Sequence, residues 1–325
     1  MSGKILTRWA AAAAILGLAA ATGLIAYVGL GEVLSALARI GWRGLAVLVA
    51  YSALPFALLG SAWFSLERPW SASKWRIYLW ARMVRDAGGE LLPFSHVGGL
   101  VIGVRAATLS GISATWASAT TIVDVTAEII AQIAFTCLGL ALLLTRLDSG
   151  AGLVGPVVGG LVVTIAAVSA FIVLQRQGIG PVTALVQKIM PAVAPHATET
   201  GDMIAQLHRQ TGRFSLAIVL HLAAWVASGL GAWLALKVAG VEIGAYEILG
   251  LEALVMAVRS AAFVAPMGVG VQEASYVFLG PLFGLGPDVA LALSLIKRAR
   301  ELAVGLPVLI IWQAIEGRRL VRRGV

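Results

Sequence analysis

The chain is 325 residues long and 59% hydrophobic, with only 12% of its residues charged and a mean hydropathy of +0.92. Soluble globular domains carry about 25% charged residues, so the composition excludes that class and describes a polytopic membrane protein. A formal charge of +8 fits the Lys/Arg enrichment of cytoplasmic loops better than nucleic-acid binding, and the single cysteine, Cys137, excludes an intrachain disulfide and a cysteine metal cluster.

Lys4 and Arg8 precede an Ala/Leu-rich run over residues 10–30. Its Ala-x-Ala pattern is that of a signal peptide, but about twenty apolar residues exceed the usual apolar region of one and further spans follow. The sequence therefore predicts an uncleaved first helix. A second span is predicted over 44–66. Glu32, Arg39 and Arg43 lie between the two spans, whereas Arg68, Lys74, Arg76, Arg82 and Arg85 follow the second. This basic bias places the N-terminus in the cytoplasm. Trp70, Trp75, Tyr78 and Trp80, interleaved with Lys74, Arg76 and Arg82, predict an amphipathic helix lying in the inner interface.

That helix leads into residues 86–105, an apolar stretch interrupted by Pro93, Ser95, His96, Gly98 and Gly99. Too short and too broken to cross as one helix, it reads as two half-helices meeting at a turn, with Arg85 and Glu90 on the entry side. Broken backbone at membrane depth is tolerated where protein covers it or where it lines a cavity. This first re-entrant hairpin is accordingly a candidate site. A helical pattern over 113–145 follows, about 48 Å long at 1.5 Å per residue, and it overshoots a hydrocarbon core about 30 Å thick. Along it Thr120, Asp124, Glu128 and Gln132 recur at four-residue spacing and share one face.

Residues 146–150 form an outer turn, and a fourth span over 152–174 returns the chain to the inner side. Residues 175–213, with Lys188, His196, His208, Arg209 and Arg213, read as one or two interfacial helices joined around Pro191 and Pro195. The fifth span, 214–236, holds His221, expected to be a packed core histidine. Over 247–286 the opening pattern returns: Glu252 and Arg259, a break at Pro266, Gly268 and Gly270, then Gln272 and Glu273 on a second apolar half. The last span, 287–312, carries Lys297, Arg298, Arg300 and Glu301 and runs into a basic tail that places the C-terminus in the cytoplasm.

The expected fold is an all-α polytopic membrane protein of about six full transmembrane helices plus two broken re-entrant hairpins. Residues 1–146 and 151–325 repeat one order of elements: span, span, broken hairpin, charged span. Pro93 precedes Glu128 by 35 residues, and Pro266 precedes Glu301 by the same 35. Because the first unit begins inside and the second outside, the two form an inverted repeat of the kind built into secondary transporters. A central Arg, Lys or Asp costs about 2.5–3.5 kcal/mol on insertion scales, so the intramembrane charges need partners. We expect an ion-pair network of Asp124, Glu128, Arg298 and Glu301, joined by Arg85, Glu90, Arg259 and Glu273 from the hairpins. Competing readings make these pairs a purely structural tie between the halves, or leave Asp124 solvated at the end of an over-long helix. His96 is expected to be a neutral imidazole bonding a carbonyl of the broken helix. With no nucleotide-binding loop, zinc-ligand cluster or nucleophile elbow, no enzyme activity, cofactor or metal is expected.

Four stretches carry a resemblance: Gly89-Glu90-Leu91-Leu92-Pro93 with Gly98 and Gly99; the helix of Asp124 and Glu128; Pro266-Met267-Gly268-Val269-Gly270-Val271-Gln272-Glu273; and Lys297-Arg298-Ala299-Arg300-Glu301. In these the chain resembles, over nearly its whole length, the lysylphosphatidylglycerol synthase transmembrane region, a flippase-like membrane family that also occurs alone. The run from Arg85 to Ser95 is most similar to its hopanoid-biosynthesis-associated, HpnL-like members. Met267 departs from the family's proline-glycine-glycine loop. The resemblance implies movement of a polar or anionic lipid, a hopanoid or a phospholipid, between the leaflets of a bacterial inner membrane, without the aminoacyl-transfer domain of the larger relatives. Membrane lipids are then the partners. Two alternatives remain: a lipid-modifying enzyme using Asp124, Glu128 or His96 as acid or base, and a non-catalytic assembly partner that recruits lipid-biosynthetic enzymes through 175–213. A homo-oligomer is compatible with each.

Overall fold

In hydrocarbon a segment must satisfy its own backbone hydrogen bonds, and a helix does so within one element. The computed structural model describes residues 30–91, 95–146, 194–261 and 270–323, with isolated positions at 155, 159, 162 and 166. Among these residues all regular structure is helical and no strand is present. The chain is thus an all-α membrane protein. The expected first span at 10–30, all but isolated positions of the fourth at 152–174, the turn residues Pro93, Pro266 and Gly268, and all of 175–193 lie outside the described residues.

Helix α1 (Leu30–Tyr51) is kinked at Gly41, whose φ of 53° favours glycine, and α2 (Ala53–Phe64) continues its line. From Leu37 to Phe64 the pair is long and apolar enough to cross a membrane. Two further helices meet that standard, α5 (Ala114–Leu144) and α7 (Thr211–Val238). Ser113 caps α5, its side chain accepting from the Trp116 N–H at 3.3 Å. Val101, Val219, Phe278 and Ile310 are left exposed on the outside of the bundle, as lipid-facing positions would be.

Between α2 and α5 the chain makes a helical hairpin of α3 (Ala72–Leu91) and α4 (Ser95–Leu109). The expected interfacial helix and the first arm of the hairpin are one continuous helix. Instead of lying in the interface, Tyr78 and Arg82 are buried, because their face carries on through Ala81, Val84 and Arg85 into the bundle. Small residues set the approach of the two arms. A Cβ on Gly99 would lie 2.6 Å from the Arg85 carbonyl oxygen and 2.8 Å from the Gly89 nitrogen, both backbone atoms. Ser95 and His96 open α4.

The second hairpin consists of α8 (Ala245–Ala261) and α9 (Val271–Leu279), the latter followed by a 3₁₀ turn at Gly280–Phe283. Gly270 starts α9 with φ 81°, and the Glu273 carboxylate accepts its N–H at 2.8 Å. The long last helix, α10 (Pro287–Arg323), packs against both hairpins. Apolar clusters form on either side of it. Trp63, Tyr78, Val84, Ala107 and Val308 join α10 to the first hairpin; Leu236, Leu251, Tyr276, Phe283 and Leu293 join it to the second. Helix α6 (Ala194–Arg209) buries Ile204 and Leu207 against Leu66 and Val123, so this part of the 175–213 loop is docked on the bundle.

Candidate functional site: a charged cavity between two hairpins

Arg82 and Arg85 lie three residues apart on α3 and so project from one face, opposite Asp124 and Glu128, which lie four apart on α5. Arg82 donates to Glu128 Oε1 at 2.6 Å, to Asp124 Oδ2 at 3.3 Å and to Asp86 Oδ2 at 2.9 Å. Arg85 donates to Asp124 Oδ2 at 2.7 Å and to the other oxygen of Glu128. From α7, His221 Nε2 donates to Asp124 Oδ1 at 2.9 Å. Asp124 and His221 are fully buried. The forked guanidinium matches the two oxygens of a carboxylate, and taking such charges out of water is tolerable only with partners of this quality.

This cluster corrects the expected network in three ways. Asp124 is enclosed, with no solvated end of α5 near it. Asp124 and Glu128 pair with Arg82 and Arg85, while Arg298 and Glu301 find their partners elsewhere. His221 is hydrogen-bonded to Asp124 and not merely packed. Charge spacing along a sequence shows which residues share a helix face but leaves open which neighbour that face meets. Asp124, Glu128 and His221 also bring possible metal-ligand atoms within 4.8 Å of one another. Both carboxylates are already engaged by guanidiniums, and a divalent cation would have to displace them against their positive charge.

A second cluster joins α8, α9 and α10. Lys297 Nζ donates to Glu252 and, at 2.8 Å, to the Tyr276 hydroxyl, which itself donates to Glu252. Arg298 Nη2 lies 2.8 Å from Glu273 Oε1. Gln272 Nε2 donates to Ser294 Oγ at 3.0 Å. Between the hairpins stands Arg259: it donates to Glu90 Oε2 of α3 at 2.6 Å and lies 3.6 Å from Glu301 Oε1 of α10.

The two clusters face a cavity of about 510 Å³. Charged side chains from both clusters line it, Arg85, Glu128, Glu252, Arg259, Lys297 and Glu301 among them. Leu48, Pro55, Phe56, Leu59, Leu100 and Val308 also line it and add apolar groups. Gln272 and Trp225 also reach it, each with one buried polar atom lacking a hydrogen-bond partner among the described residues, Gln272 Oε1 and Trp225 Nε1. Such a space, part charged and part greasy, is suited to a molecule of the same divided character.

The family model for the lysylphosphatidylglycerol synthase TM region matches residues 14–308, and so takes in both hairpins and both ion clusters. The chain belongs to that family. Searches of the curated proteins and of the solved structures return no match. Membership makes this a membrane protein related to lipid modification or transport.

Among the residues read from the sequence, Arg85, Glu90, Glu128, Arg259, Gln272 and Glu301 line the cavity. Asp124, Glu273 and Arg298 stand behind it as ion-pair partners, and Gly270 starts α9; Gly98 has open space around it while Gly99 is the close contact of the arms. Arg82, His221 and Tyr276 were not among the expected site residues. One sequence signal was available for part of this: Lys297 precedes Glu301 by the four residues that separate Asp124 from Glu128. The first half thus presents acids on its charged span to basic residues on its hairpin. In the second half Lys297 on the span meets Glu252 on the hairpin.

Proposed function

We propose that the protein moves a polar-headed lipid, a phospholipid or a hopanoid, between the leaflets of a bacterial inner membrane, with both termini cytoplasmic. A single observation carries the reading: the cavity between the hairpins is lined by both ion-paired and apolar side chains, so a headgroup is accommodated against the ion pairs while the tail stays in apolar surroundings. The two hairpins belong to the two halves of the proposed inverted repeat, and rocking one half against the other would open the cavity to each side in turn. The intramembrane acids are held by cations, which favours charge stabilisation over proton transfer and speaks for a carrier and against a lipid-modifying enzyme. No cofactor is needed by this mechanism.

The test is exchange of labelled lipids in vesicles containing the purified chain, compared with Ser228→Trp, which adds bulk to a residue lining the cavity. Transfer by the native chain, and its loss in a variant that retains its elution profile and melting temperature, is the expected result. Equal transfer by both proteins, or none by the native chain across a panel including hopanoids, rejects the reading. A covalently altered lipid recovered from the vesicles would favour the enzyme alternative.

A further inference from the structure

We infer that the headgroup admitted to the cavity is an anionic phosphate ester, gripped by Arg300 and Arg259, and that it takes the place of Glu90 at Arg259. The inference deepens the lipid-transfer reading and rests on it. The ion pairs around the cavity do not match one for one. Each acid that lines it has a cation within 4 Å: Asp86 has Arg82, Glu90 and Glu301 share Arg259, Glu128 has both Arg82 and Arg85, and Glu252 has Lys297. Every lining acid thus has a cation at ion-pair distance, Glu301 the least closely, 3.6 Å from an Arg259 already bonded to Glu90. On the cationic side Arg300 lines the same space and is the lining cation without an acidic partner among the described residues. A guanidinium kept at membrane depth is costly unless something compensates it, and its planar fork suits phosphate.

Two further groups point the same way. Gln272, 1% exposed, lines the cavity with its amide nitrogen on Ser294 and its Oε1 unpartnered. Trp225 Nε1 is a buried donor without an acceptor. A phosphate ester bearing a hydroxyl supplies both: oxygens for Arg300 and the indole N–H, and an O–H for the Gln272 oxygen. The Arg259–Glu90 pair is also the most accessible ion pair of the cavity, with side chains 24% and 34% exposed, and it is held by one hydrogen bond where Arg82 and Arg85 are forked between carboxylates. An entering phosphate competes for Arg259 at this weakest point. Releasing Glu90 then removes the ion pair that ties α3 to α8, so headgroup entry would loosen one hairpin from the other.

The full chain in nanodiscs, with native mass spectrometry reading retained lipid, tests this using phosphatidylglycerol against uncharged diacylglycerol. Phosphatidylglycerol should be retained roughly tenfold or more over diacylglycerol, the size of a charge-assisted hydrogen bond. Arg300→Gln should abolish that preference and Arg300→Lys should keep part of it, whereas Glu90→Gln should raise phosphatidylglycerol retention by removing the competing carboxylate. Millimolar inorganic phosphate should leave it bound. Equal retention of the two lipids, an undiminished preference in correctly melting Arg300→Gln, or displacement of the lipid by inorganic phosphate alone overturns the inference. The two failures separate: exchange without headgroup preference overturns this inference and leaves the transfer reading intact, while retention with preference but no exchange overturns the transfer reading alone.

Discussion

Lys297 and Glu252 show why single substitutions in this protein will mislead. Both are buried, and the Tyr276 hydroxyl bonds each of them. Removing one partner of a buried pair leaves an uncompensated charge and costs about 3–5 kcal/mol, whereas replacing both with groups of similar volume is often close to neutral. Lys297→Met alone is therefore expected to lower stability by about that amount, and Lys297→Met with Glu252→Gln should recover most of it, a coupling read by a double-mutant cycle of denaturation in detergent. Additive losses would show that the pair contributes nothing as a pair. At this scale the sequence was legible for residue type and face: Asp124, Glu128, Arg259 and Glu301 are all where intramembrane charge demanded partners. Partner choice was not legible. Arg82 sits among Trp75, Arg76 and Trp80, a pattern equally natural to a helix on the membrane surface, and its burial follows from the packing of α3 among α2, α4 and α10, with the carboxylates of α5 closing over it.

Helices reveal their pairing through glycine more clearly than through hydrophobic pattern. In the first hairpin Gly98 and Gly99 are adjacent in sequence, yet only Gly99 faces the other arm, its would-be Cβ 2.6 Å from the Arg85 carbonyl oxygen, while Gly98 has nothing within 4 Å. Backbone cannot yield as a flexible side chain can. Gly99→Ala is accordingly expected to force α3 and α4 apart at a cost of about 1–3 kcal/mol, and Gly98→Ala to be neutral or stabilising by up to about 1 kcal/mol through helix propensity. Melting temperatures of the two variants check the contrast; equal effects would mean that the arms are not in contact at Gly99. The long helix that follows Ser113 was foreseeable from its sustained helical pattern. The start of the hairpin was not. Nothing between Ala72 and Leu91 interrupts the helix, and a change from surface to interior along a continuous helix leaves little mark in local sequence.

Across the whole molecule, the contacts that join the halves decide whether they can move. Among the described residues several polar contacts join them, His221 with Asp124 and Arg259 with Glu90 included, and one of these lies at the cavity between α5 and α8: Gln132 donates to Ser260, and both residues line the cavity. If transfer proceeds by rocking one half against the other, this contact must open in each cycle. A pair of cysteines at Gln132 and Ser260, placed in a Cys137→Ala background so that no other thiol is present, offers a reversible lock. Joining them with a thiol-reactive linker should stop lipid exchange, and cleaving the linker with reductant should restore it to the rate of the unlinked double-cysteine protein. The linker adds no charge to the cavity and leaves Arg259, Arg300 and Glu90 in place, so loss of exchange would report on motion and not on headgroup binding. Exchange that continues in fully linked protein would instead mean that lipid slides along a fixed polar path between the hairpins. In that case the ion pairs would act as rigid walls, and the chain would be a passive scramblase.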